Sequence, residues 1–504
     1  MNRFSIIVLI ACSLLPISLA AQQVSYSEYE RTENRDTDFE IIGKMKGNVI
    51  VYKNVRWKHR LSVYDADMKT KETVELDFVP EKTYNADFIV CPDFFYMIYQ
   101  YRKKSILHCM GVKLDADGHK MNEPVELDTT EISLLADSKI YSAIYSEDKQ
   151  KIMLFKIQKK WDRINMTTLL LDDKLQLLHR SRYIMDYDDR HDNYGDFILD
   201  NDGNFAFTLD KREGAREHSK SLSLVTKPAL SDDFTVHNIN LDGKYLDEIK
   251  LKTDNLNKHY IINSLYCPKS WGSIEGLFSC TWDISNGKQN PSIFNVFDDY
   301  LRSEAKSDGQ VKFAFDDFVI RQVFVRKDGG FLLTAEDFST QTRGMGSSWN
   351  RYDYLNNSFS MSSNPYYTYN PYYGNYRPLN NFNNQSVRFY YANIMVLSVG
   401  KDGTAEWAKV IHKDQFEDDN DSFLSFSTMN SGGEIHFLYN LNSKNEVISD
   451  QSIAADGTIK RNATLKSEER GYEFMPQLAK QTGSKQLIIP CAYRGYICFA
   501  KVDF

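Results

Sequence analysis

Closely spaced carboxylates give this chain its clearest chemical capacity. Asp186-Tyr187-Asp188-Asp189-Arg190-His191-Asp192, with Asp196 just beyond, and Glu417-Asp418-Asp419-Asn420-Asp421 both concentrate oxygen ligands. A hard cation such as calcium takes about six to eight of them. Neither run has the Asp-x-Asp-x-Asp-Gly spacing of a calcium loop, so each reads first as a solvated connection and no metal is assigned. Asp115-Ala116-Asp117-Gly118 and Asp200-Asn201-Asp202-Gly203 look metal-like too. A tight hairpin explains them, because Gly accepts positive φ and Asp bonds nearby amides. The chain has no Gly-x-Ser-x-Gly elbow, His-Glu-x-x-His pair or phosphate-binding Walker loop. The local devices for acyl transfer, zinc hydrolysis and nucleotide binding are therefore missing, and neither a catalytic residue nor a cofactor is assigned.

Tyrosine is the second resource. A Tyr/Asn/Ser-rich insert over 339–386 contains Tyr366, Tyr367, Tyr369, Tyr372, Tyr373 and Tyr376 and separates two otherwise consecutive strands. The phenol ring offers a flat apolar face and a hydroxyl at small entropic cost, a combination suited to protein or glycan surfaces. These six residues are the candidate binding residues; a low-complexity loop without a binding role is the competing reading.

Cysteine is the third. Three local couples, Cys91/Cys109, Cys267/Cys280 and Cys491/Cys498, could form disulfides in an oxidising compartment, or remain buried thiols. Cys491 and Cys498 flank Ala492-Tyr493-Arg494-Gly495, a plausible hairpin turn. No Cys-x-x-Cys occurs, which argues against a zinc ribbon or a thioredoxin-like redox motif.

Compartment follows from the first residues. Met1-Asn2-Arg3 precedes an apolar run from Phe4 to Leu15, and Ser18-Leu19-Ala20-Ala21 supplies small side chains before Gln22. This pattern predicts a signal peptide over 1–21, cleaved after Ala20 or Ala21. Leu9-Ile10-Ala11-Cys12 also fits a lipoprotein box, but the apolar run continues past Cys12, which disfavours lipidation there. No later stretch is apolar for the roughly 20 residues that a membrane helix needs. The mature chain is expected to be exported and water-soluble, in the periplasm, on the outer surface or in the medium. With 61 basic and 69 acidic residues the net charge is −8, so nucleic acid is a poor candidate partner.

These residues need a frame. Short apolar strands alternate with Asp/Gly turns, as in Gly47 to Tyr52, Asp202 to Phe207, Asp328 to Leu333 and Gly432 to Phe437. Aromatic content of 13% suits sheet faces. Eight units begin near Phe39, Tyr84, Ile132, Asp196, Lys258, Phe313, Ser422 and Tyr472, at a period of about 40 to 50 residues, which predicts an all-β, eight-bladed β-propeller over 22–504. Seven blades is the alternative count, and a pair of β-sandwiches, or a sandwich beside a smaller propeller, the alternative fold. The last unit lacks a fourth strand, which residues near Tyr26 to Thr32 are expected to supply.

The run Lys327 to Glu336, the insert, and Tyr390 to Trp407 together resemble uncharacterised exported propeller-like proteins of the Bacteroidota, most clearly over 313–437. That resemblance implies a propeller and no particular activity. Gly118-His119, Trp161-Asp162 and Trp282-Asp283 occur singly, and neither these pairs, kelch glycines nor sialidase Asp-boxes form a repeated signature. The expected function is a non-enzymatic cell-envelope or secreted binding or scaffold protein that engages a protein or glycan through propeller-face loops. The alternative is an extracytoplasmic glycoside hydrolase with two carboxylates at the axis.

Overall fold

The computed structural model describes residues 23–29, 37–132, 140–160, 162–188, 190–214, 218–306, 310–343, 386–418, 420–441, 445–466 and 471–504. The leader-like segment 1–21, Cys12 and the six insert tyrosines lie outside them.

Eight antiparallel sheets follow one another along the chain and form an eight-bladed β-propeller. Blade 1 is Thr37–Met45, Asn48–Val55, Lys58–Tyr64 and Thr70–Glu75, paired in sequence order, and the pattern repeats. The first strands of the other blades are Thr83–Val90, Tyr141–Tyr145, Asp192–Leu199, Tyr245–Asp254, Phe318–Val325, Ser427–Asn430 and, in blade 8, Tyr472–Phe474 with Lys480–Gly483. First strands of neighbouring blades touch, which puts them innermost around the axis.

Hydrophobic residues hold the ring at the seams between blades. Each seam has its own buried cluster: Ile50, Leu61, Phe88 and Met97 between blades 1 and 2; Phe155, Phe197, Phe205 and Phe207 between blades 3 and 4; Ile261, Phe315, Phe331 and Met395 between blades 5 and 6. A single four-stranded sheet has two faces to cover, and only its neighbours can cover them. Completely burying one such side chain is worth about 1.5–3 kcal/mol, so the stability of the ring resides in these seams.

Blade 8 closes the ring. Its fourth strand is Gln23–Tyr26, running antiparallel to Tyr496–Asp503 with Gln23 opposite Asp503 and Tyr26 opposite Ala500. The closing strand therefore lies a few residues upstream of the expected Tyr26–Thr32. Val24 and Tyr26 are the reason, since both side chains pack against the seam between blades 7 and 8.

Two expected blade starts also move. The first strand of blade 3 begins at Tyr141 rather than near Ile132, because Val125–Glu131 is still the outer strand of blade 2. In blade 5 it begins at Tyr245 rather than near Lys258; the strand at His259–Cys267 is the second. Tyr245–Asp254 reads YLDEIKLKTD, too charged to look like the innermost strand of anything.

Strand order gives the disc two unlike faces. On one, which we call the turn face, the first strand of each blade turns into the second and the third into the fourth. These connections have two to five residues, except 116–124 and 228–234. On the other, the loop face, the second strand meets the third and blade leads to blade. This face carries 212–220, 268–275 and 297–317, the last including a short helix at Asp299–Ala305.

Candidate binding face and axial channel

The Asp-rich turns spend their carboxylates on their own backbone. Asp115 Oδ1 accepts from the amides of Asp117 and His119, both at 2.9 Å. Asp200 Oδ1 does the same with Asp202 at 3.0 Å and Asn204 at 2.8 Å. In the first acidic run Asp186 pairs with Arg163, Asp188 accepts from His191 and the amide of Arg190, and Asp192 lies 3.2 Å from Lys211. Asp189 lies outside the described residues. In the second run Asp418 holds Arg388 through both carboxylate oxygens, and Asp421 accepts from the Tyr391 hydroxyl at 2.8 Å. Among the described residues no three metal-ligating side chains gather around one point.

The axis is lined by charge. In blades 1, 2, 4, 5, 6 and 8 the register slips within the first strand. Such a bulge re-aims side chains, here Asp196, Glu248 and Arg321 in blades 4, 5 and 6. Asp196 adopts φ +49°, an uncommon conformation for a residue other than glycine.

Each of these carboxylates reaches across a seam. Asp196 Oδ2 accepts from the amide of Leu251 in blade 5 at 2.7 Å, and Glu248 Oε2 accepts from the amide of Ile320 in blade 6 at 2.9 Å. Glu248 also lies 2.7 Å from Lys250. The ring of bonds continues from Thr428 to Gln322, between Asn430 and Gln481, and from Lys480 to the carbonyls of Ile41 and Ile42. Burial raises the Asp196 pKa against the opposing pull of Lys250, and burial lowers that of Lys252. Behind the wall, Glu336 is fully buried with Lys413 at 2.7 Å, Arg321 at 2.8 Å and the Ser425 hydroxyl at 2.6 Å.

These contacts define what the channel can do. Asp196 and Glu248 cap backbone amides on the innermost strand of the next blade, which has no neighbour in its own sheet on that side. A general acid and base for glycoside cleavage need one carboxyl group free to give a proton and another free to act on the sugar or water. For Asp196 and Glu248 the observed bonding suits inter-blade staples better.

A second cluster brings together the side-chain types of a cysteine hydrolase. His218, from the 212–220 loop of blade 4, sits with its Nδ1 3.3 Å from Asp247 and its Nε2 3.1 Å from the carbonyl of Gly272. Cys267 is close enough to act on the same ring. Burial opposes the charge on His218, but the hydrogen bonds to Asp247 and Cys267 and the field of Asp247 outweigh it, and its pKa rises to about 10. With an oxygen acceptor at each ring nitrogen the imidazole is held as a cation. Cys267 has no exposed surface, so its sulfur is closed to a substrate. The cluster is a clamp tying the loop of blade 4 to that of blade 5.

The loop face differs from the turn face in the residues it exposes. Tyr29, Trp57, Trp271, Tyr300, Phe313 and Phe416 are the exposed large aromatic residues among those described, and all six lie at the loop-face end of their blades. Trp271 is 69% exposed and Tyr300 73%. The large exposed side chains in turn-face connections, Met121, Leu230 and Leu256, are unbranched or aliphatic. Trp57 sits with Arg56 in a two-residue hairpin where both have positive φ, 71° and 51°. A hairpin of this kind prefers Asn-Gly, and each non-glycine residue at left-handed φ costs about 1–2 kcal/mol. Tyr29 packs on Tyr493 and Tyr496 with ring centroids 5.3 and 5.8 Å apart, and Tyr493 in turn stacks on Tyr472 at 4.4 Å.

The strands flanking the tyrosine-rich insert, Phe331–Arg343 and Ser386–Val399, also meet the loop face. Of the cysteine couples, only Cys491 and Cys498 are brought together. Cys109 is on the third strand of blade 2 while Cys91 follows the first, and Cys280 pairs with Ile262, five residues from Cys267. Sequence reasoning missed Trp57, Trp271, His218 and Asp247. Trp57 was the most accessible of these, because a tryptophan between two strands, with no space for a longer loop, has to occupy a turn.

No family model matches the sequence, and no curated protein matches it. Solved structures share its general form at low similarity. Prolyl oligopeptidase B from Galerina marginata aligns at 10% identity and a TM-score of 0.40, over 93% of this chain and 56% of that one. This chain thus spans about half the length of that enzyme. An oligogalacturonate lyase in complex with manganese aligns at 9% identity and a TM-score of 0.34, over 84% of this chain and 97% of that one. A dihydro-heme d1 dehydrogenase aligns at 10% identity and 0.39, over 94% and 73%.

Proposed function

We propose that this protein is a non-catalytic binding or scaffold protein that holds a protein or glycan partner against the loop face of its propeller. One observation carries the reading: the exposed large aromatic side chains of the described chain are all on that face. Contact surfaces are enriched in tyrosine and tryptophan, which bring large area at small entropic cost. Left-handed φ at both Arg56 and Trp57 supports the same reading, since strain of this kind persists where it serves a purpose. The bonding of Asp196 and Glu248 to neighbouring blades favours binding over glycoside hydrolysis by those two residues. The leader-like 1–21 segment supports placing the activity beyond the inner membrane.

The test is a comparison of faces. A variant carrying Trp57→Ala, Trp271→Ala and Tyr300→Ala is compared with one carrying Leu230→Ser and Leu256→Ser on the turn face, using a glycan array and purified envelope proteins. Hot-spot aromatics are worth about 2 kcal/mol or more each, so the first variant should bind at least about thirtyfold more weakly and the second as the wild type. Equal loss in both variants, or turnover of a glycan by the wild type, would overturn the proposal.

A further inference from the structure

The pair that the fold does bring together is Cys491 and Cys498. They lie directly opposite one another on Gln486–Tyr493 and Tyr496–Asp503, the hairpin that turns at Arg494-Gly495. Directly opposed residues of an antiparallel pair have Cα atoms about 4.5–5.5 Å apart, within the roughly 4.4–6.8 Å that a disulfide spans. Their sulfurs are 2.9 Å apart, and both side chains are completely buried in the seam between blades 7 and 8. Neither of the other couples is opposed in register: Cys109 faces Gln100, and Cys267 and Cys280 are offset by five residues, about 16 Å along a strand.

We infer that Cys491 and Cys498 are the site of an intramolecular disulfide that fastens the closing hairpin of the ring. This inference does not depend on the binding proposal. The bond forms by exchange with an external disulfide, either oxidised glutathione or the disulfide of a thiol oxidoreductase. One cysteine thiolate attacks a sulfur of that disulfide and displaces the first thiolate, leaving a mixed disulfide on the protein. The second cysteine thiolate attacks the protein-bound sulfur and expels the other thiolate. The two protein thiols are oxidised, the external disulfide is reduced to two thiols, and the two protons lost by the cysteines go to the leaving groups.

Burial fixes when this happens. No reagent reaches either sulfur once blade 8 has packed against blade 7, so the exchange belongs to the chain before that seam closes. Afterwards the same burial shields the bond from reduction. The hairpin it fastens bears two loads: Gln23–Tyr26 docks along Tyr496–Asp503, and Tyr493 and Tyr496 support the exposed Tyr29.

The sequence around the pair makes a direct assay available. Trypsin cuts after Lys485, Arg494 and Lys501, so Gln486–Arg494 and Gly495–Lys501 are separate peptides, each with one cysteine. The full chain is refolded with oxidised glutathione, its remaining thiols are alkylated under denaturing conditions, and it is digested with and without reductant. The two peptides should run joined until reductant separates them, and the oxidised protein should melt a few degrees above the reduced one. That difference should vanish in the Cys491→Ala/Cys498→Ala variant and persist in the Cys267→Ala/Cys280→Ala variant. Full alkylation of both peptides from oxidised protein, or joining of either to a peptide bearing another cysteine, would overturn the inference. If the Cys491→Ala/Cys498→Ala variant does not fold, the peptide map of the wild type decides alone.

Discussion

A histidine clamped between a carboxylate and a carbonyl sets how this protein answers to pH. His218 has its pKa raised to about 10 in the folded state, against an ordinary value of 6.5. A group that binds its proton more tightly when folded stabilises fully below its unfolded pKa, and the benefit is lost as pH rises through the folded one. The clamp should therefore weaken between about pH 6.5 and pH 10. Asp38, whose pKa burial raises to about 7, adds a loss of the same sign at lower pH, between about 4 and 7. Urea midpoints measured from pH 6 to pH 10 should fall, and His218→Asn should flatten the fall above pH 6.5. An unchanged slope in that variant would mean that the imidazolium contributes nothing. Neither residue was legible in the sequence as a partner of anything: His218 and Asp247 belong to different blades, and only the bulge at Leu246–Ile249 brings Asp247 to the seam.

At the scale of elements, the strands that the sequence hid are the ones nearest the axis. Outer and middle strands announce themselves by apolar residues and Asp/Gly turns, since their burial is against other blades and their turns are short. An innermost strand faces a polar channel on one side, so Tyr245–Asp254 carries Asp247, Glu248, Lys250 and Lys252 within ten residues. Alternation fails as a signal when one face of a strand is charged and bonded across seams although the strand is central. The turns were read more easily, because Gly118, Gly203, Gly329 and Gly403 all have the positive φ that their hairpins require. One glycine is constrained by space instead. A Cβ on Gly276 would stand 1.9 Å from the carbonyl oxygen of Asn295, on the outer strand that pairs with it. Gly276→Ala should lower stability by at least about 2 kcal/mol, the scale of an overpacked site, whereas Gly433→Ala, with open space around its Cβ, should change it by less than about 1 kcal/mol. Urea denaturation of the two variants separates the effects, and equal midpoints would refute the packing account.

For the molecule as a whole, the eight-unit period and the need for a shared blade could be read from the chain, while the exact closing strand could not. Val24 and Tyr26 look like ordinary residues until the seam they fill is known. Division of labour between the faces was also hidden, because it arises from strand order rather than from any local run of residues. Deleting residues 23–27 should expose the edge of Tyr496–Asp503 and remove the Ser27 bonds to Phe499. The truncated protein should melt several degrees lower and self-associate in sedimentation, since an open edge recruits another chain. A monomer with unchanged melting would show the ring to be held by its other seams alone.

Pairing of Gln23 with Asp503 has a consequence for biosynthesis. A chain made from its amino end can pack seven sheets in order as they appear, but the earliest strand must wait with its hydrogen-bonding edge unused until the final one has been released. Sealing therefore follows synthesis of the last strand of blade 8, and a copy that crosses a membrane unfolded is sealed only afterwards. Chaperone protection should matter most for that waiting strand, and a stalled nascent chain lacking only its last ten residues should stay sensitive to protease however complete its other sheets are.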